Sequence, residues 1–200
     1  MARRLSKHAA VRQCLPLTML PGLPGPGDCL WAGGAGLPLI ADLNYDGNLD
    51  LIFTGGEKNT MIYWGDGTRT YSGDRRTEVS ETKGVSSCEA ADMNRDGWLD
   101  LLLMRRGNNL VSSVYYGNEK GEFSADRRNE FKPFQTQGAT VADVNRDGWL
   151  DVICGRYSDG GSRATMSRVY FGSPKGLSED NVLELPTNAG TGSQVSIHFE

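Results

Sequence analysis

A nine-residue acidic motif occurs three times in this chain at nearly constant spacing. It constrains the fold more than any other feature. The copies are Asp42-Leu43-Asn44-Tyr45-Asp46-Gly47-Asn48-Leu49-Asp50, Asp92-Met93-Asn94-Arg95-Asp96-Gly97-Trp98-Leu99-Asp100 and Asp143-Val144-Asn145-Arg146-Asp147-Gly148-Trp149-Leu150-Asp151, starting 50 and then 51 residues apart. An aromatic-Gly element keeps the same period, as Ile62-Tyr63-Trp64-Gly65, Val114-Tyr115-Tyr116-Gly117 and Val169-Tyr170-Phe171-Gly172. A third element appears twice, as Asp74-Arg75-Arg76-Thr77-Glu78 and Asp126-Arg127-Arg128-Asn129-Glu130. Three features in one register imply stacked repeats, each a unit that cannot bury its apolar faces alone.

Each acidic loop runs into a short apolar strand: Leu51-Ile52-Phe53, Leu101-Leu102-Leu103-Met104 and Val152-Ile153-Cys154. The aromatic-Gly element ends a further strand, and a Gly-containing turn such as Asn118-Glu119-Lys120-Gly121 follows. No segment holds the 3.6-residue apolar period over a helix length. The expected fold is all-β, with β-propeller blades of about four antiparallel strands and about 50 residues each. The boundaries predicted are a leader and linker over 1–35 and a partial propeller over 36–200. Within it the blades run 36–83, 84–137 and 138–190, and a fourth starts at 191–200.

The loops carry chemistry suited to a hard cation. Ca²⁺ takes about six to eight oxygens in a flexible shell. Side chains at positions one, three and five of a tight turn converge, which designates Asp42, Asn44 and Asp46, then Asp92, Asn94 and Asp96, then Asp143, Asn145 and Asp147. Gly at position six permits the sharp turn. Position seven, held by Asn48, Trp98 and Trp149, offers its carbonyl, and Asp50, Asp100 and Asp151 close the motif at position nine. An EF-hand needs Glu at position twelve, where this chain has Phe53, Leu103 and Cys154. Asp, Asn and Gly also serve ordinary turns. Three crowded carboxylates in three registered loops, however, call for a neutralising cation. The expectation is about three Ca²⁺ per chain, in a structural role. At extracellular-type affinity and about 1 mM free calcium, each site adds roughly 0.4–1.4 kcal/mol, and it stays mostly empty in the cytosol.

These units resemble the FG-GAP and VCBS repeats, the blade type of integrin α-subunit headpieces and many bacterial surface proteins. The resemblance rests on the acidic loop, its strand and the Tyr-aromatic-Gly element, over residues 36 to 200. It lies closer to the VCBS style, because the Gly-Ala-Pro part of FG-GAP is missing and Gly138-Ala139 is as near as the chain comes. It implies a closed propeller, commonly of seven or eight blades, with calcium in the inter-strand loop. It also implies an extracellular, periplasmic or cell-surface interaction scaffold that binds a protein or a carbohydrate. Some calcium propellers of this kind resemble polysaccharide lyases, which gives an enzymatic alternative. A lyase needs a unique base, and the notable residues here are all repeated, so a non-catalytic scaffold is favoured.

Composition narrows the partners. With 25 acidic and 21 basic residues the formal charge is −4, which offers no basic field for nucleic acid. No apolar run reaches the 18–20 residues or so that span a bilayer. The basic start (Arg3, Arg4, Lys7, Arg12) and the short apolar run to Leu20, broken by Pro16, make a weak secretory signal at most, and residues 21–36 read as linker. Cys88 and Cys154 lie in apolar strands and read as buried thiols, while Cys14 and Cys29 flank the Pro/Gly stretch. Trp98, Trp149 and Trp64 suit sugar stacking or, more commonly, packing between blades. The Arg75-Arg76 and Arg127-Arg128 pairs form either an anion-binding stripe or, more simply, local ion pairs on an outer strand. Spacing predicts a fourth acidic loop near 198–201, led in by Ser193-Gln194-Val195-Ser196-Ile197-His198-Phe199-Glu200. Three blades leave open apolar faces, so either this is part of a longer propeller or it assembles with another copy.

Overall fold

The structure is a computed structural model, and it describes residues 38–105, 110–133, 136–156 and 164–188. Among them are twelve strands and no helix. The first sheet holds β1 (Leu39–Ala41), β2 (Asp50–Phe53), β3 (Thr60–Tyr63) and β4 (Arg76–Val79). The second holds β5 (Val85–Ala91), β6 (Asp100–Arg105), β7 (Ser112–Tyr115) and β8 (Arg128–Phe131). The third holds β9 (Thr136–Ala142), β10 (Asp151–Arg156), β11 (Ala164–Tyr170) and β12 (Val182–Asn188). Every sheet is an antiparallel meander in chain order. These are the blades of an all-β, propeller-like array, and the three sheets do not close into a ring.

Side-chain alternation along the strands explains the stacking. In β6, Leu101 and Leu103 enter a core shared with Ile52, Ile62 and Val79 of the first blade. Leu102 and Met104 enter a second core with Val152, Cys154 and Tyr170 of the third. The central blade is thus buried on both faces, and β6 reads as one continuous apolar run.

A polar latch ties each blade to the one before it. Tyr115 at the end of β7 donates its hydroxyl to the Ser80 carbonyl at 3.0 Å. Tyr170 at the end of β11 donates to the Lys132 carbonyl at 2.7 Å. Each phenol has a guanidinium beside it. Arg128, paired with Tyr115 across β7 and β8, bonds that hydroxyl and also Glu81 of the first blade. In the third blade Val182 stands opposite Tyr170, and Arg168 of β11 supplies the cation instead.

Candidate functional site

Each acidic loop joins the first strand of its blade to the second, and the three are built alike. Positions four and six are left-handed: Tyr45, Arg95 and Arg146 at φ 55°, 64° and 61°, and Gly47, Gly97 and Gly148 at φ 90°, 93° and 91°. That path turns successive amides inward, where the loop's own oxygens collect them.

In the first loop, Asp42 Oδ1 and Asn44 Oδ1 both accept from the Asp46 N–H at 3.1 Å, and Asp42 Oδ2 accepts from the Gly47 N–H at 3.1 Å. Asp46 Oδ1 accepts from the Asn48 N–H at 2.8 Å. The third loop repeats this: Asp143 takes the amides of Asp147 and Gly148, Asn145 takes that of Asp147, and Asp147 takes that of Trp149. In the second loop Asp92 Oδ2 accepts from Gly97 at 3.0 Å, Asn94 from Asp96 at 2.9 Å and Asp96 from Trp98 at 2.9 Å. There the pattern breaks at one atom, because Asp92 Oδ1 is buried and has no hydrogen-bond partner.

The position-nine carboxylates sit deeper than the rest, and Asp50, Asp100 and Asp151 are fully buried. Each bridges two backbone amides. Asp50 takes the Leu43 N–H at 2.8 Å and the Gly65 N–H at 2.9 Å. Asp100 takes those of Met93 at 2.8 Å and Gly117 at 2.9 Å, and in addition that of Asn94 at 3.3 Å. Asp151 takes those of Val144 at 2.9 Å and Gly172 at 2.8 Å. This last residue of the loop therefore clamps the loop's entry to the exit of the third strand. The aromatic-Gly element is its partner, a link the sequence did not disclose. The glycine is required by closeness: a Cβ on Gly65, Gly117 or Gly172 would lie 2.3, 2.1 or 2.3 Å from the carbonyl oxygen of Leu49, Leu99 or Leu150.

Electrostatics set these loops apart. Burial, with Asp96 and Asp92 adding repulsion, pushes the Asp100 carboxyl up to about 7 despite its amide bonds. Burial likewise pushes Asp50 up to about 6, with Asp46 and Asp42 contributing. Among the described residues no Lys or Arg forms an ion pair with a loop carboxylate. Nor do three His, Cys, Asp or Glu side chains gather there into a ready-made metal cage.

The neighbouring aromatic and basic residues are occupied in packing. Tyr45 meets Trp98 at 5.6 Å between centroids, and the Arg95 guanidinium lies 5.2 Å from the Trp149 ring centre, so successive loops touch. Trp64 packs toward Gly121 of the next blade and donates its indole N–H to Thr77 at 2.8 Å. Arg75 pairs with Asp66 and Arg128 with Glu130 as local partners within their own blades, while Arg128 also reaches Glu81 of the first blade. Cys88 and Cys154 are buried, as their apolar strands imply. Cys14, Cys29, His198 and the anticipated start of a fourth blade lie outside the described residues.

Comparison with known families places an FG-GAP-like repeat over residues 42–103, from the first acidic loop into β6. Comparisons with curated proteins and with solved structures gave no match.

Proposed function

We propose that this chain, which matches an FG-GAP-like repeat over residues 42–103, is a calcium-stabilised propeller-type interaction scaffold working outside the cytosol. The observation that carries this reading is the buried Oδ1 of Asp92, left without a hydrogen-bond partner, in the same loop as Asp96 and Asp100 and with no Lys or Arg among the described residues paired to any of the three. A buried oxygen of a carboxylate without a donor is costly, and a divalent cation is the partner such an oxygen accepts. Asp92, Asn94, Asp96 and the Trp98 carbonyl would hold the ion. Asp100 adds to them through Oδ1, which takes only the Gly117 N–H and keeps a further lone pair, whereas Oδ2 already takes the amides of Met93 and Asn94.

The equivalent residues are Asp42, Asn44, Asp46, Asn48 and Asp50 in the first blade, and Asp143, Asn145, Asp147, Trp149 and Asp151 in the third. All-oxygen donors on a short flexible loop suit Ca²⁺ better than Mg²⁺, which demands a tighter octahedron. When bound, the ion neutralises the loop and holds it against its blade. The role is structural, and the scaffold is non-catalytic. Sites of extracellular-type affinity fill at millimolar calcium and stay mostly empty at cytosolic levels. FG-GAP repeats also occur typically in extracellular or surface proteins, in line with that setting. The ligand is a protein or a carbohydrate held on the stacked blades.

The test is local removal. Asp96→Ala should lose one calcium equivalent while the first and third loops keep theirs, and its thermal stabilisation by calcium should shrink by about a third. Unchanged stoichiometry in that variant would sink the assignment of ligands to loops.

A further inference from the structure

Position four of the first and second loops sends its side chain off its own loop and against the next. Tyr45 meets Trp98 of the second loop, with ring centroids 5.6 Å apart. Arg95 meets Trp149 of the third, its guanidinium 5.2 Å from the ring centre. The two positions are equivalent in the repeat, yet one delivers a neutral phenol and the other a fixed positive charge. Burial, and after it the charge of Asp92, raises the Tyr45 phenol above its ordinary value, so it stays neutral beside the second loop.

The two side chains also land differently. A Cβ built on Gly148 would lie 3.1 Å from Arg95 Nη1 and 3.6 Å from its Cζ, whereas nothing lies within 4 Å of one built on Gly47 or Gly97. Of these three position-six turns, only that of the third loop has a guanidinium laid across it. The N–H of that turn is the one Asp143 Oδ2 accepts at 2.9 Å. Arg95 is exposed and, among the described residues, forms no ion pair that would offset its charge. The loop oxygens differ in the same sense. Asp92 Oδ1 has no hydrogen-bond partner, while its counterpart Asp143 Oδ1 takes the Asp147 N–H at 3.1 Å.

Resting on the reading of the loops as calcium sites, we infer that Arg95 sets the calcium affinity of the neighbouring blade, repelling the ion in the third loop and making that site weaker than the second. A guanidinium and a divalent ion about 7 Å apart in a water-like medium repel by an amount worth about five- to tenfold in affinity. At 0.15 M salt, where the Debye length is about 8 Å, about two- to threefold of this remains. A residue that merely braced Trp149 would act with the opposite sign, because losing the stack would loosen the loop and weaken its site.

The experiment is calcium titration of the full chain followed by backbone-amide NMR, in which the Gly97 and Gly148 N–H peaks follow the second and third loops separately. Arg95 is exposed, so Arg95→Gln should keep the parent's fold. At about 10 mM salt, Gly148 in Arg95→Gln should report binding about five- to tenfold tighter than in the parent, with Gly97 changed by less than about twofold. The gain should shrink to about two- to threefold at 0.15 M salt. Arg95→Lys keeps the charge and should hold the third loop near the parent's affinity. Unchanged or weaker binding at Gly148 in Arg95→Gln, an equal gain at both loops, or a gain indifferent to salt would each overturn the inference and leave the calcium sites standing. A parent in which neither glycine responds to millimolar calcium would overturn both.

Discussion

Replacing Gly117 with Ala tests the clamp that joins loop to strand. The added Cβ would sit 2.1 Å from the Leu99 carbonyl oxygen, a backbone atom that cannot swing aside like a side chain. Restoring an ordinary contact of about 3.3 Å separates the two strands' ends by about 1 Å. Overpacking of that kind costs about 1–3 kcal/mol. The same movement stretches the 2.9 Å bond from the Gly117 N–H to Asp100 Oδ1 and leaves a buried carboxylate oxygen without its donor. That adds about 1–3 kcal/mol, for a total near 4 kcal/mol. Gly97→Ala is the internal control. Gly97 has φ +93° but nothing within 4 Å of a built Cβ, so only backbone strain is incurred, about 1–2 kcal/mol. Urea unfolding followed by tryptophan fluorescence reads the difference. At an m-value of about 2 kcal/mol/M, Gly117→Ala should lower the midpoint by about 2 M and Gly97→Ala by less than 1 M. Equal effects, or a larger one for Gly97→Ala, would refute the clamp.

Leu101→Ala and Leu102→Ala should each destabilise by about 2–5 kcal/mol in the same assay, because these fully buried neighbours enter separate cores and each leaves its own cavity. Cys88 and Cys154 should resist iodoacetamide at pH 8 in the native protein and react on unfolding, as site-resolved mass spectrometry would show. Burial keeps both thiols covered and pushes Cys154 up to about 12. In chelator, the Asp100 carboxyl is pushed up to about 7, above its unfolded value of about 4. Its contribution to stability is then complete below about pH 4 and is lost as pH rises through 7. Asp100→Asn should flatten that part of the metal-free pH–stability curve, and an unchanged slope would contradict the burial assigned to Asp100.

The parts of this molecule legible in its sequence were those written in short-range pattern. The acidic loop, the strand that follows it and the aromatic-Gly element lie within single units at a common period, so the three four-stranded antiparallel units among the described residues followed from spacing. The clamp was not legible. Asp50, Asp100 and Asp151 meet glycines 15, 17 and 21 residues downstream, and hairpins of unequal length between them hide the pairing. These carboxylates were read only as cation ligands, whereas folding also gives each of them at least two amides. The latch was hidden for the same reason: Tyr115 reaches back 35 residues to Ser80 and Tyr170 reaches back 38 to Lys132. A signal was present, since Tyr recurs at the same place in all three aromatic-Gly elements where packing alone would accept Phe. Arg168 replacing Arg128's role from a different strand had no such signal.

The most direct test of the calcium-bladed scaffold is calorimetric titration of Ca²⁺ into the chelator-stripped full chain, with its fold verified by circular dichroism. About three equivalents bound at sub-millimolar affinity, together with a raised melting temperature, is the expected result. A folded chain that takes up no calcium at millimolar concentration would contradict it, leaving the three loops as polar turns held by their own amides.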